Sequence, residues 1–280
     1  MDRYGYAVDW RALLHGKPIS LASCLDCEAL YHNHILESES LKRLYSEWID
    51  ESQIDTLTQA VDSASGPDAQ FQNATDGVRH LLRLNRLLRK DNPEPNPPWR
   101  ILDFGCGAGE FLKQANLFGF ETWGVDFSST RANQALTHQV SLIASLDDFR
   151  EQTSELLHAV TMFQVLEHLD DPRGTLLDLY ATMLEGGVLI VEVPHCTNAG
   201  EPQTFEDFRN VHPLEHINAF TPETLTTIVE SAGFEKINPG PAHVTDRPDA
   251  LVRSELTRFY EPMRTNQYFR KVGSSAAPYR

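Results

Sequence analysis

Cysteine, positive charge and long apolar stretches are all scarce in this chain. Four cysteines among 280 residues are too few for a disulfide framework, and they point to a reducing compartment, the cytoplasm. The longest apolar run, residues 188–191, falls far short of the roughly 20 residues that a membrane-spanning helix needs. Residues 1–6 show no charged segment leading into an apolar one, so neither a secretory leader nor a membrane contact is expected. Lys and Arg total 24 against 40 Asp and Glu, a net charge of −16. An enzyme that works on nucleic acid generally carries a basic stripe to neutralise phosphates. Here the available stripe is Arg79, Arg83, Arg86, Arg89 and Lys90, spaced by three and four. We read it as a solvated helix face, so nucleic acid is not expected as a partner. Internal repeats are missing as well. Hydrophobic residues at 41% suffice for the core of one large domain with additions.

The feature that stands out is a glycine-rich turn closing a short apolar run. Residues 101–112 read Ile-Leu-Asp-Phe-Gly-Cys-Gly-Ala-Gly-Glu-Phe-Leu. Gly105, Gly107 and Gly109 leave a turn without side chains, where a ligand can approach the backbone and the next helix can start at once. The dinucleotide fingerprint G-x-G-x-x-G needs glycine at position 110. That position holds Glu110, whose carboxylate beside a helix N-terminus repels a pyrophosphate. The turn therefore suits a ligand without phosphates. Residues 121–126, Glu-Thr-Trp-Gly-Val-Asp, form a second short strand ending in an acid. Asp126 follows Gly105 by twenty-one residues, near the roughly 20-residue offset at which a β-α-β unit sets a carboxylate on a ribose. It is also placed to cap a helix starting near Ser128 or Ser129, and the two roles are compatible.

Residues 159–163 then form a buried strand, residues 164–172 (Gln-Val-Leu-Glu-His-Leu-Asp-Asp-Pro) a polar loop, and residues 184–194 (Leu-Glu-Gly-Gly-Val-Leu-Ile-Val-Glu-Val-Pro) a glycine turn and a longer strand. In this order and spacing, residues 99–238 resemble the class I S-adenosylmethionine (SAM)-dependent methyltransferases, in the group with an L-E-H…D-P…G-G…E-V-P signature. The resemblance implies an α/β, Rossmann-like fold: a seven-stranded, mostly parallel sheet with helices on both faces, ending in an antiparallel strand pair. It also implies SAM as cofactor, with Asp103, Gly105, Cys106, Gly107, Gly109, Asp126, Phe127, Ser145, Leu146 and Gln164 around it. The patterning predicts strands near 100–104, 121–125, 140–144, 158–163, 187–193, 234–238 and 242–253. Thr221-Pro222 is a helix start, with Leu225, Ile228, Val229 and Ala232 on the buried stripe and Gly233 at the end.

Around this core four segments are expected: residues 1–35, residues 36–98, the methyltransferase domain at 99–253, and a C-terminal extension at 254–280, read as helical with a frayed tail. Cys24-Leu-Asp-Cys27 in the first segment resembles the second knuckle of the zinc ribbon that precedes the domain in some members of this group. A structural zinc needs four ligands, and no cysteine precedes Cys24. The ribbon is thus degenerate, and no metal is expected. The second segment, an N-terminal helical extension, carries apolar stripes over 38–60 (Leu41, Leu44, Tyr45, Trp48, Ile49) and 68–90 (Phe71, Ala74, Val78, Leu81, Leu88). In the resembling family such helices cover the cofactor. Residues 91–98 hold four prolines and read as a stiff linker.

Methyl transfer to oxygen or carbon needs the acceptor's proton removed, which suits a histidine or carboxylate at the pocket mouth. His168, after the fourth strand, is a base or a helix-start residue bonded to backbone. The loop at 195–219 is long and without clear periodicity, as lids and substrate loops are. Within it, His212 and His216 with Glu215 read as a base with its orienting carboxylate, as two metal ligands on one helical turn, or as structural residues. The expectation is a small-molecule acceptor such as a sugar or natural-product intermediate. A protein or RNA acceptor and a non-catalytic SAM-binding scaffold are the alternatives. No signal for an oligomeric state is present. The glycine spacing and Glu110 predict that S-adenosylhomocysteine raises the melting temperature at concentrations where NAD does not; the reverse order in a thermal-shift titration would refute that reading.

Overall fold

The computed structural model describes residues 20–44, 67–91, 98–128, 135, 140–204, 207, 210–211, 214–242 and 265–273. In chain order the elements are β1 (Leu21–Ser23), β2 (Leu30–His32), α1 (Ser38–Arg43), α2 (Pro67–Asp91), β3 (Arg100–Phe104), α3 (Glu110–Leu117), β4 (Glu121–Val125), β5 (Ser141–Leu142), α4 (Leu146–Gln152), β6 (Leu157–Phe163), a 3-10 turn (Leu166–His168), α5 (Pro172–Thr182), β7 (Met183–Glu192), β8 (Asn218–Ala219), α6 (Pro222–Ser231), β9 (Phe234–Ile237) and β10 (Asn266–Lys271). Seven of them form one sheet in the order β5-β4-β3-β6-β7-β10-β9. The first five of these strands are mutually parallel, and β10 runs antiparallel to both β7 and β9.

Period-two alternation sorts the strand residues onto two faces. Leu102, Val160, Leu189 and Val191 enter one core with Phe149 of α4, Leu176 and Leu179 of α5, and Leu225 and Val229 of α6. Their neighbours Ile101, Ala159, Val188 and Ile190 enter the other, with Leu81, Leu84 and Leu88 of α2 and Leu112 and Ala115 of α3. A sheet covered on both faces explains why the central strands read as unbroken apolar runs. The α6 start is as the sequence suggests: Thr221 and Thr224 form a reciprocal capping box with Pro222 inside it, and Gly233 follows at φ 98°.

Three expectations change, and a fourth lies mostly outside the described residues. Residues 243–253, most of the expected last strand, lie outside the described residues, and the seventh strand is β10, within the stretch assigned to the C-terminal extension. Tyr268 faces the α2 core and Phe269 the opposite one. The polar ends of β10 are held by the fold, since Lys271 donates to the carbonyls of Tyr180 and Met183 at 2.9 Å each. The basic stripe on α2 is a solvated face only in part: Arg86, Arg89 and Lys90 are exposed, whereas its first two members are not. Arg79 and Arg83 are buried, and Arg83 Nε donates to the Gly240 carbonyl at 3.1 Å. Arg86 donates to the Pro239 and Pro241 carbonyls. Two prolines keep that segment out of a strand, and the guanidinium groups satisfy its carbonyls instead. Cys24 and Cys27 occupy the turn of the β1–β2 hairpin, whose second strand pairs antiparallel with β8 (Leu30 with Ala219, Tyr31 with Asn218). The N-terminal segment is therefore joined to the end of the 195–219 loop. Finally, the first helical stripe is described only over Ser38–Arg43; residues 45–60 lie outside the described residues. No described helix is long and apolar enough to cross a membrane.

Phe269 is fully buried in β10, so Phe269→Ala should cost about 3–5 kcal/mol of stability by urea denaturation. A cost below about 1 kcal/mol, the range of ordinary surface changes, would place β10 outside the folded unit.

Candidate cofactor and acceptor site

In an open α/β sheet the ligand crevice lies beyond the carboxyl ends of the strands where the winding direction reverses. Here the chain passes from β3 outward to β4 and β5, then returns to β6 on the other side of β3. The reversal therefore falls between β3 and β6. The glycine turn leaves β3 at this point, and residues 164–168 leave β6 beside it.

Gly105 sits at φ 85°, and a Cβ built on it would run into Cγ2 of Val165, so this glycine is demanded by the fold itself. Gly107 differs: at φ 52°, nothing lies within 4 Å of a Cβ built there. It is the position at which a ligand can touch the backbone. Gly109, the N-cap of α3, has φ 78°. The turn is tied to the end of β4 by three backbone amides. Gly105 N–H and Cys106 N–H donate to the Val125 carbonyl at 2.7 and 2.9 Å. Asp126 Oδ2 accepts from Gly107 N–H at 2.7 Å, and its Oδ1 accepts from Ser128 N–H at 2.8 Å. Asp126 thus shapes the turn and also begins the next segment, at the place expected for a ribose ligand.

Asp103 is buried, and Thr161 Oγ1 donates to its Oδ1 at 2.6 Å across the β3–β6 pair. Burial pushes its carboxyl up to about 7; the Thr161 bond opposes this and the nearby Asp126 charge adds to it. Burial first, then the charges of Asp103 and Asp126, pushes the Cys106 thiol up to about 12, so it is an inert wall and not a nucleophile. Phe127 stands 70% exposed beside Asp126, an unusual position for a phenyl ring and one suited to stacking on a heterocycle. Ser145 is committed to capping α4, its hydroxyl accepting from Asp148 N–H at 3.1 Å, with Leu146 buried behind it. Both follow β5, on the β4 side of the reversal.

On the β6 side, Gln164 adopts φ 57°, a left-handed conformation uncommon outside glycine. Such strain persists where surroundings impose it, often at functional sites. Here Glu192, the last residue of β7, imposes it. The Glu192 carbonyl accepts from Gln164 N–H at 2.8 Å, and Gln164 Nε2 donates to Glu192 Oε1 at 3.3 Å. Asn266 Nδ2 donates to Glu192 Oε2 at 2.6 Å, and His80 of α2 pairs with the Tyr268 hydroxyl at 2.6 Å. Sequence reasoning passed over Glu192, His80 and Asn266. An acid ending an apolar strand, the same signal that marked Asp126, pointed to Glu192. Burial holds His80 down to about 3, so its imidazole is neutral.

The 3-10 turn brings Glu167 and His168 against the 195–219 loop. The His168 and His216 rings meet edge to face, centroids 4.8 Å apart and planes at 79°. His168 Nδ1 pairs with the Glu215 carbonyl at 2.9 Å, and His216 Nδ1 with the Asn210 carbonyl at 3.2 Å. Glu215 thus orients His168 through its backbone, and the partner at His216 Nδ1 is Asn210. His212 lies outside the described residues. Glu167, only 1% exposed, has neither carboxylate oxygen hydrogen-bonded, with His168 Nε2 3.6 Å from Oε1. Burial, with the Glu192 charge adding, pushes its carboxyl up to about 8. The cluster is held from two sides: His32 N–H of the N-terminal hairpin donates to the Ile217 carbonyl at 2.9 Å, and Asn218 Nδ2 of β8 donates to the Leu169 carbonyl at 2.6 Å.

A family profile described as a methyltransferase domain matches residues 76–238, more than half of the chain. Among curated proteins, the ubiquinone biosynthesis O-methyltransferase of Pseudomonas savastanoi pv. phaseolicola is 28% identical over 95 residues, 31% of this chain and 41% of that protein. The mitochondrial ubiquinone biosynthesis O-methyltransferase of Rattus norvegicus is 24% identical over 170 residues, 54% of this chain and 49% of that one. The chain thus spans about half or less of the length of these two relatives. Among solved structures, the plantazolicin methyltransferase BpumL, in complex with a triazolic desmethylPZN analog and SAH, superposes with a TM-score of 0.52 at 14% identity, over 84% of this chain and 97% of that one. The two share a fold.

The Asp103 carboxyl yields a pH signature. Its folded value, about 7, lies above the ordinary 3.8, so the folded protein holds this proton more tightly than the unfolded chain. The associated stability is complete below the ordinary value and is lost as pH rises through about 7. Asp103→Asn removes the ionisation while keeping an oxygen for Thr161. Thermal melts from pH 4 to 8 should show the variant gaining on the wild type as pH rises. Parallel curves would mean that Asp103 titrates normally.

Proposed function

The chain belongs to the class I SAM-dependent methyltransferases, and we propose that it methylates an oxygen or carbon of a small-molecule acceptor, deprotonated at the His168–His216 pair. The observation that carries this reading is the convergence of Glu167, His168 and His216 beyond β6, just after Val165, whose side chain packs against Gly105 of the glycine turn. The residues present fit SAM. Asp103, Glu110 and Asp126 surround the glycine turn with acid, which suits a ligand carrying sulfonium and ammonium charges and repels one carrying phosphates. Phe127 offers a face for adenine, Asp126 a carboxylate for ribose hydroxyls, and Gly107 the close approach. When bound, SAM supplies a methyl group already activated as a sulfonium.

The protein's task is then to position the acceptor, exclude water and move one proton. His216 is the residue we place at that proton. The Asn210 carbonyl at Nδ1 fixes the tautomer that presents an Nε2 lone pair. His168, held the same way by the Glu215 carbonyl, steers the second imidazole against the first. The Gln164–Glu192–Asn266 chain sets the opposite wall. The named action of the curated relatives, O-methylation in ubiquinone biosynthesis, supports oxygen over carbon and a small molecule over a macromolecule. The net charge of −16 is a poor match to RNA.

General-base catalysis typically contributes about 10²–10⁴-fold. His216→Ala should lower turnover on a responsive acceptor by that order and leave the affinity for S-adenosylhomocysteine unchanged. A radiolabelled-methyl assay against a panel of hydroxylated small molecules, with calorimetry for the nucleoside, checks both. Full turnover in His216→Ala would remove this residue from the proton path, and loss of cofactor binding would make the loop a cofactor lid.

A further inference from the structure

Glu167, His168 and His216 offer one ligand atom each, and these three atoms lie within 4.8 Å of one another. We propose that they form a binding site for a divalent first-row transition-metal ion at the mouth of the acceptor pocket. This rests on the methyl-transfer reading above and deepens it: with the ion bound, the His216 Nε2 lone pair is a ligand, and the ion, by holding the acceptor's oxygen, takes over the task of easing off its proton.

Two observations point to a ligand. The first is the Glu167 carboxylate, 1% exposed and without a hydrogen-bond partner on either oxygen. A carboxyl group this deep with neither oxygen hydrogen-bonded is costly unless something satisfies it, and His168 Nε2 at 3.6 Å is beyond hydrogen-bond range. The second is how the imidazoles are held. In both rings Nδ1 faces a backbone carbonyl, Glu215 for His168 and Asn210 for His216. That is the outer-shell arrangement which orients a metal-ligating histidine and fixes the tautomer that coordinates through Nε2.

The donor set selects the ion. Two imidazole nitrogens and one carboxylate suit zinc, cobalt, iron or manganese; calcium and magnesium prefer all-oxygen shells. Metal–nitrogen distances of about 2.0–2.1 Å need the three groups to close in by modest side-chain rotations. Three protein ligands leave a coordination position open, as catalytic sites do and structural ones do not. A hydroxyl oxygen filling that position would be polarised and lose its proton more readily, so the class of acceptor is one with a hydroxyl. Sequence spacing suggested His212 as the metal partner of His216; among the described residues the fold brings His168 and Glu167 to His216.

The test uses the full chain, stripped with a chelator and titrated with Co²⁺, whose visible absorption reports nitrogen–oxygen coordination. Wild type should take up one Co²⁺ per chain, and Zn²⁺ should bleach the bands. Glu167→Gln, close to isosteric, and His216→Ala, on a partly exposed loop, should each weaken uptake roughly tenfold or more. Cys24→Ser/Cys27→Ser should leave it unchanged. No stoichiometric uptake by wild type, uptake surviving both site variants, or uptake lost with the cysteine pair would overturn the proposal. S-adenosylhomocysteine calorimetry on each preparation shows that the variants are folded and separates the two readings. Wild type that binds the nucleoside but no Co²⁺ loses the metal site and keeps methyl transfer. Wild type that binds Co²⁺ but not the nucleoside overturns methyl transfer.

Discussion

The site depends on the tie between β3 and β4. The two strands are paired in parallel with Phe104 opposite Val125, so the glycine turn leaving one strand meets the acid ending the other. Val125 then accepts two amides of the turn through its carbonyl, and Asp126 accepts a third through its side chain. Those bonds hold three successive residues, Gly105, Cys106 and Gly107, in a tight curve with positive φ at both glycines. The curve leaves Gly107 facing open space and starts α3 three residues later. Without the Asp126 carboxylate the turn would keep its anchor at Val125 and lose its hold at Gly107, the residue that faces open space.

The same geometry sets the electrostatics. Asp103 and Asp126 fall together because strand order brings them together, and burial keeps the Asp103 carboxyl from ionising readily. An acid-rich, partly desolvated turn is hostile to phosphate and hospitable to a cation. On the far side of the reversal the fold holds polar groups just as tightly. Gln164 pays for its left-handed backbone through Glu192, and β10 supplies Asn266 to hold Glu192 in place. The seventh strand therefore belongs to the site as well as to the core.

Much of this was legible in the chain. The glycine spacing, Glu110 and Asp126 are local signals that need no partner to be read, and the apolar runs of β3, β6 and β7 announce a sheet covered on both faces. What escaped depends on contacts between distant residues. β10 carries Asn266, Gln267, Arg270 and Lys271, which look like surface until Tyr180, Met183, Pro222 and Glu192 are placed beside them. The arginines of α2 look like a solvated stripe until the proline-bearing segment after β9 presents its carbonyls to them. The hairpin at Cys24 and Cys27 resembles an independent ribbon, yet it completes a small sheet with β8. His168 and His216 are distant in sequence, and only the folded 195–219 loop makes them neighbours.

The claim on which the rest turns is that Asp126 both shapes the glycine turn and holds the cofactor. Calorimetry of S-adenosylhomocysteine with wild type and Asp126→Ala tests it most directly. Hydrogen bonds to charged groups contribute about 1.5–3 kcal/mol each, so the variant should bind at least roughly tenfold more weakly while its far-ultraviolet circular dichroism matches wild type. Equal affinities in the two proteins would contradict the account, because neither the ribose contact nor the shape of the turn would then rest on Asp126.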